Sequence, residues 1–72
     1  MSERLQGMVK FFEAARGFGF LWANDTAIPD VFVHISRVRD GNVLQQGDRV
    51  EFSLGPGRKP GTEQAIDVVR LE

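Results

Sequence analysis

The fold of this chain is decided by one stretch, Arg16-Gly17-Phe18-Gly19-Phe20-Leu21. The stretch is short, rich in aromatic residues and interrupted by glycine, which is typical of a strand that follows a tight turn. Successive side chains of a strand point to opposite faces. Phe18 and Phe20, with Trp22 beyond them, therefore share one face, and Leu21 lies on the other.

Four further runs of the same kind surround this stretch. They cover Gly7–Phe12, Asp30–Ile35, Arg49–Leu54 and Glu63–Leu71, and segments rich in Gly, Pro, Asn or Asp separate several of them. Helical periodicity is nearly absent, and one helical turn is expected near Ser36–Val38. Five short strands in 72 residues predict a single all-β domain over residues 1–72, folded as a five-stranded antiparallel Greek-key β-barrel.

Strand alternation separates the expected core from the expected surface. The inward faces of the third and fourth runs carry Val31, Val33, Ile35, Val50, Phe52 and Leu54. The outward faces carry Phe32, His34, Arg49, Glu51 and Ser53. Phe11 and Phe12 cannot both face outward unless a bulge intervenes, and we expect Phe12 to be the partly buried one.

Composition excludes several classes of function. There is no cysteine and one histidine, so we expect no disulfide, metal site, cofactor or nucleophile–base pair, and no enzyme activity or small-molecule substrate. The sequence contains neither a signal-like start nor an apolar run long enough to span a membrane. A cytoplasmic protein is therefore expected, and we also expect it to be a monomer. Nine basic against ten acidic residues give a net charge of -1, which argues against a ligand held by charge alone.

The outward rings indicate a binding function. A small domain that leaves about five rings outside its core forgoes roughly 1.5–3 kcal/mol of burial for each. An exposed apolar patch of this kind usually has a partner. Aromatic rings flanked by a few cations form a stacking surface for unpaired bases. The cations that the sequence offers for phosphates are Lys10, Arg16, Arg58 and Lys59, and Gly17 and Gly19 would leave room for a base.

The sequence resembles the cold-shock domain family. Arg16–Leu21 is similar to the first ribonucleoprotein motif of that family, and Val31–Ile35 is similar to the second. Gly7–Phe12, Gly47–Phe52 and Ala65–Val68 also match its strands, so the resemblance extends from about residue 5 to the end. It implies an OB-type barrel that binds single-stranded RNA or DNA and, in bacteria, acts as an RNA chaperone.

The resemblance also implies roles for particular residues. By position, the bases would stack on Phe11, Phe18, Phe20, Phe32 and His34. Lys10 and Arg16 would assist on the backbone, and Asp30 would bond a base edge unless it only caps the turn after Pro29. Arg58 or Lys59 would supply the basic residue of the last loop.

Four features depart from the family pattern. Phe11 stands where the family usually has Trp, Ile35 stands where it often has Phe, and the connection after Ser36 is shorter and lacks an aromatic residue. Trp22 stands where the family usually has no ring. We interpret Trp22 as a displaced stacking surface, with packing over the rim of the barrel as the alternative.

Other readings of these residues stay open at the level of sequence. Phe18 and Phe20 could be ordinary core residues, and His34 a structural histidine. Arg37 and Arg39 are interpreted as solvated loop charges. The same aromatic patch could bind a protein instead of nucleic acid. An RRM-type domain has a similar glycine–aromatic motif but needs two helices, and no segment here favours them.

Overall fold

The structure is a computed structural model that describes residues 4–24, 28, 30–57 and 59–71. These residues form five strands, β1 (Leu5–Glu13), β2 (Phe18–Ala23), β3 (Val31–His34), β4 (Arg49–Pro56) and β5 (Glu63–Leu71). A 3₁₀ turn over Ile35–Arg37 follows β3, one residue earlier than expected. Each strand overlaps one of the five expected runs. Within the described ranges, no helix has the length and apolar character to cross a membrane.

The strands close into a barrel in the order β1-β2-β3-β5-β4. β1 pairs antiparallel with both β2 and β4, and the β2–β3 and β4–β5 pairs are antiparallel as well. β3 and β5 run parallel, with Phe32 in register with Gln64. The parallel contact follows from the chain path, because β3 and β5 each lie two antiparallel steps from β1, one through β2 and the other through β4. The five-stranded barrel is confirmed, and its sheet is mixed at this closing contact.

The barrel interior is filled mainly by valine and leucine. Its buried hydrophobic residues are Val9, Leu21, Val31, Val33, Val38, Leu44, Val50, Phe52, Ala65 and Val68. The inward positions expected from alternation in β2 and β3, and at Val50 and Phe52, are confirmed. Leu54 is half-buried and packs against this core. Ile35 is only half-buried, because it has left β3 and begins the 3₁₀ turn.

A bulge in β1 resolves the facing of the two adjacent phenylalanines. Val9 pairs with Leu21 and Phe11 pairs with Phe20, so Lys10 is the extra residue on this strand. Phe12 is half-buried against the core, whereas Phe11 is 37% exposed. The expectation that Phe12 is the partly buried residue is confirmed.

The expected outward facing of Ser53 is wrong. The register between β4 and β5 shifts between Glu51 and Ser53, and Ser53 is buried with 9% exposure. Its hydroxyl accepts a hydrogen bond from Nη1 of Arg4 at 3.0 Å. The guanidinium thus satisfies a buried polar atom that alternation alone would have placed in solvent.

Arg39 is exposed in the segment after β3, as expected, but it is also paired with a carboxylate. Its Nε and Nη2 donate to the two carboxylate oxygens of Asp67 at 2.9 and 2.8 Å. Arg4 donates from Nη2 to the backbone carbonyl of Asp67 at 2.8 Å. Asp67 has a φ of 51°, a left-handed conformation that Asp and Asn adopt more readily than most residues. Arg39 therefore links the segment after β3 to an irregular point of β5, and Arg4 links the residue before β1 to the same point.

We expect Phe52→Ala to destabilise the domain by about 3–5 kcal/mol, because Phe52 is fully buried and truncation leaves a cavity. Urea unfolding followed by circular dichroism measures the change. Val43→Ala is the control, since Val43 is 38% exposed and should change stability by less than about 0.5 kcal/mol. Equal effects of the two substitutions would contradict the assigned core.

Stability should depend on pH through Asp67. The hydrogen bond from Arg39 holds the pKa of the Asp67 carboxyl below its ordinary value of 3.8. The folded state therefore favours the ionised Asp67 carboxylate. The ionised carboxylate stabilises the folded state at pH values above the ordinary pKa, and this stabilisation is lost as the pH falls through the lowered pKa of the folded state.

We therefore expect Asp67→Asn, which tolerates the same backbone conformation, to unfold at lower urea concentration than the parent at pH 7. The difference should shrink as pH is lowered below about 4. Urea titrations across this range measure it. A difference that stays constant with pH would mean that the carboxylate charge has no part in the effect.

Candidate nucleic-acid interface

Four phenylalanine rings form one continuous cluster on the outer face of β1, β2 and β3. The Phe11 and Phe20 rings meet edge to face with centroids 5.5 Å apart, and Phe20 meets Phe32 in the same way at 5.8 Å. Phe18 stacks on Phe32 at 5.9 Å with an interplanar angle of 21°. The alternative that Phe18 and Phe20 are core residues is wrong, because both rings are only half-buried and Leu21 between them is fully buried.

His34 extends this cluster along β3. It is half-buried and lies in register opposite Phe18. Its Nδ1 accepts a hydrogen bond from the backbone N–H of Ser36 at 3.1 Å. The neutral imidazole is therefore assigned the tautomer whose proton is on Nε2. Phe11, Phe18, Phe20, Phe32 and His34 are together called the aromatic platform.

Trp22 lies beside the platform. It occupies the next outward position of β2 after Phe20 and is 49% exposed. Nζ of Lys10 lies 5.8 Å from the centroid of its ring, within cation–π range. Met8, in register with Trp22 across β1 and β2, is 40% exposed. The aromatic face of the sheet thus continues past the bulge.

Lys10 and Asp30 form an ion pair at this edge of the sheet. Nζ of Lys10 donates to Oδ2 of Asp30 at 2.6 Å, and both side chains are about two-fifths exposed, at 43% and 41%. An exposed pair of this kind is worth roughly 0–1 kcal/mol. A phosphate or a base edge can therefore compete for either partner at small cost. Pro29, the other element of the expected turn, lies outside the described residues.

The backbone geometry requires the two glycines of the stretch Arg16–Leu21. A Cβ at Gly19 would collide with the carbonyl oxygen of Phe11 and with Phe12, so Gly19 is needed for the close approach of β1 and β2. The expectation that Gly19 leaves room for a base is wrong, because its missing side chain points toward β1. Gly17 has a φ of 74° and ends the tight turn before β2.

Two further predicted cations, Arg16 and Lys59, lie at the ends of the platform. Arg16 is exposed in the turn that precedes Phe18. Lys59 lines a groove of about 400 Å³ beside Phe32, in the connection between β4 and β5. The fold therefore brings Lys59 to the platform from a distant part of the sequence. Arg58 lies outside the described residues.

Sequence reasoning missed two residues of this surface, Gln64 and Met8. Gln64 is 7% exposed, yet it lines the surface cavities next to Phe32. Its Nε2 donates to the carbonyl of Pro56 at 3.0 Å, which fixes the orientation of the amide. No local pattern indicates Gln64, because the parallel contact with Phe32 depends on closure of the barrel. Met8 was also missed, although its alternation with Val9 marks it as outward.

This arrangement suits binding more than chemical reaction. Half-exposed rings present flat faces on which bases can stack, and the cations lie at the edges where phosphates would pass. No group of three or more His, Cys, Asp or Glu within the described ranges could hold a metal ion. The surface therefore offers apolar area and a few charges.

Comparisons with known proteins agree with this geometry. Residues 5–71 match the family model described as the "'Cold-shock' DNA-binding domain". The cold shock-like protein CspB of Yersinia pestis is 42% identical over 73 residues, covering 99% of this chain and all of that protein. The cold shock protein of Arthrobacter globiformis is 45% identical over 66 residues, covering 89% of this chain and 97% of that protein.

A third relative is the cold shock-like protein CspC of Bacillus cereus. It is 44% identical over 69 residues, covering 93% of this chain and all of that protein. The similarity extends over nearly the whole chain, and the structure has the five-stranded barrel and the aromatic cluster. Together these findings establish the family. The chain belongs to the cold-shock domain family of non-enzymatic nucleic-acid-binding proteins.

Proposed function

We propose that this domain binds single-stranded RNA or DNA with low sequence specificity by stacking bases on the aromatic platform. The observation that carries the proposal is the continuous ring cluster Phe11–Phe20–Phe32–Phe18 on the outer face of the barrel. Every base has a π-face, so stacking tolerates any sequence and contributes roughly 1–3 kcal/mol per base. A duplex hides those faces and should bind poorly.

The charge distribution supports stacking as the main contribution. The net charge is -1, so long-range attraction to a polyanion is weak. Arg4, Arg39 and Arg70 are paired with carboxylates of the protein itself. Lys59 and Arg16 are the predicted cations that would meet phosphates at the two ends of the platform.

Lys10 and Asp30 would exchange partners when a strand binds. Because the pair is exposed, we propose that Lys10 turns to a phosphate and that Asp30 accepts a hydrogen bond from a base edge. Arg58 would add a further cation in the last loop. A carboxylate accepts from exocyclic amino or ring N–H groups, so Asp30 would introduce a modest base preference.

In the cell, a domain of this kind would act as an RNA chaperone or as a regulator of transcription or translation. Stacking competes with base pairing in weak RNA structures, so occupation of the platform would keep a transcript unpaired. The relatives named above are called cold shock proteins, which supports this role. A cytoplasmic location, a monomeric state and a single domain over residues 1–72 remain predictions from the sequence.

A protein ligand for the same patch is the competing proposal, and one titration distinguishes the two. Trp22 is the single tryptophan of the chain and lies beside the platform, so its fluorescence reports occupation. Quenching by an unstructured pyrimidine oligonucleotide, with little change on adding a duplex of equal length, supports the proposed function. No response to single strands of any composition would contradict it.

Adjacent phenylalanines on opposite faces offer a sharper test. We expect Phe11→Ala to weaken binding of oligothymidine by about 5- to 150-fold, since one stacking contact is lost. It should have little effect on unfolding by urea. Fluorescence titration and urea unfolding measure the two properties separately.

Phe12→Ala is the matched control for this pair. Because Phe12 packs against the core, its truncation should lower stability by at least about 1 kcal/mol. Binding by the folded protein should stay near that of the parent. If the two substitutions exchanged these effects, the assignment of faces in β1 would be wrong.

Trp22 is proposed to stack a base beyond the platform. We expect Trp22→Ala to weaken oligothymidine binding at least about fivefold, and Trp22→Phe to retain most of the affinity, because a smaller ring still stacks. Anisotropy of a labelled oligonucleotide measures both without a tryptophan signal. Unchanged affinity in Trp22→Ala would instead favour packing over the rim of the barrel.

A further inference from the structure

The basic residues of the described chain fall into two groups. Arg4, Lys10, Arg39 and Arg70 each form an ion pair with a carboxylate. Four others are exposed and form no ion pair with any carboxylate in the described ranges, namely Arg16, Arg37, Arg49 and Lys59. Arg37 is the one of these four that lies directly after β3. Its charge is therefore not offset by the part of the protein that the structure describes.

Arg39 provides a comparison within the same short segment. It contacts both carboxylate oxygens of Asp67 on β5, and its side chain is 62% exposed. Val38, between the two arginines, is buried and bridges to Val68. The buried Val38 thus separates an arginine neutralised on β5 from one that lies beside the aromatic platform.

Arg37 lines a surface cleft that is continuous with the platform. The cleft has a volume of about 260 Å³, and its walls are Phe32, His34, Ser36, Arg37 and Gln64. Phe32 and His34 are platform residues, so a base stacked on either would place its backbone close to the cleft. The interpretation of Arg37 as a merely solvated charge does not account for this position.

Most hydrogen-bond donors of the cleft already have partners. Nε2 of Gln64 donates to the carbonyl of Pro56 at 3.0 Å. The backbone N–H of Ser36 donates to Nδ1 of His34 at 3.1 Å, and the Ser36 hydroxyl lies 2.9 Å from the same nitrogen. The guanidinium of Arg37 has five donors in a rigid fork that matches a phosphate. It is therefore the group best suited to hold an anion there.

We propose that Arg37 binds a backbone phosphate of the single strand whose base stacks on Phe32 or His34. The proposal rests on the proposed function and adds a phosphate contact where the platform meets β5. It gives the strand an anchor at the segment after β3, where the chain lacks the aromatic residue of its family pattern.

The salt dependence of binding tests this contact. For single strands, log K falls with log[salt] by about 0.7 per phosphate engaged. We expect Arg37→Gln to weaken binding of oligothymidine and to make this slope shallower by about 0.7. Arg37→Lys should keep the slope of the parent, because an ammonium also binds phosphate as a point charge.

Arg39→Gln is the matched control, since it removes the same charge from the same segment. Its slope should stay close to that of the parent, because Arg39 is already neutralised by Asp67. An equal change of slope in Arg39→Gln and Arg37→Gln would show a general effect of charge and would overturn the proposal. Weaker binding by Arg37→Gln at an unchanged slope would overturn it too, because Arg37 would then contact a base.

The outcomes also separate this proposal from the proposed function. If the parent binds oligothymidine and Arg37→Gln binds it with the same affinity and slope, the phosphate contact is wrong and the proposed function stands. If the parent binds no single strand, the proposed function fails with it. Circular dichroism of each variant confirms that the barrel has folded before the titrations are compared.

Discussion

The alternation of β2 between its two neighbours is the constraint on which the rest of this protein depends. Because Leu21 is completely buried, Phe18 and Phe20 must point away from the core. β2 is paired on both sides, with β1 and with β3, so it cannot rotate to bury them. The barrel closes only if those rings stay on the outer surface, and the proposed stacking of bases would use this surface.

The division of the phenylalanines shows what this constraint costs. Phe52 is fully buried and Phe12 packs against the core, whereas the other four of the six phenylalanine rings lie in the outer cluster. A domain of 72 residues buries a small apolar area on folding. Its interior is filled mainly by valine and leucine, and most of its phenylalanine rings lie on the outer surface.

Pairing among the charged residues complements this division. Arg4 and Arg39 hold Asp67, and Arg70 lies near Asp40 and Asp48. These ion pairs connect the segment after β3 and the residue before β4 to β5. Few cations without described partners lie next to the platform. Under the proposed function, stacking would therefore be the main source of affinity, and charge would contribute locally. One short segment contains both kinds of cation, since Arg39 is paired with Asp67 and Arg37 is proposed to contact a phosphate.

The sequence by itself determined the five strands, most of the core and the outward facing of Phe18, Phe20, Phe32 and His34. These features depend on the alternation of apolar and polar side chains along each strand and on the turn residues between strands, which are local properties of the chain. The tertiary structure alone decided the bulge at Lys10, the burial of Ser53, the close approach that requires Gly19, and the pairing of Arg39 with Asp67. It alone placed Gln64 and Lys59 beside Phe32, because β3 and β5 meet only when the barrel closes, and no local pattern records which distant strands become neighbours.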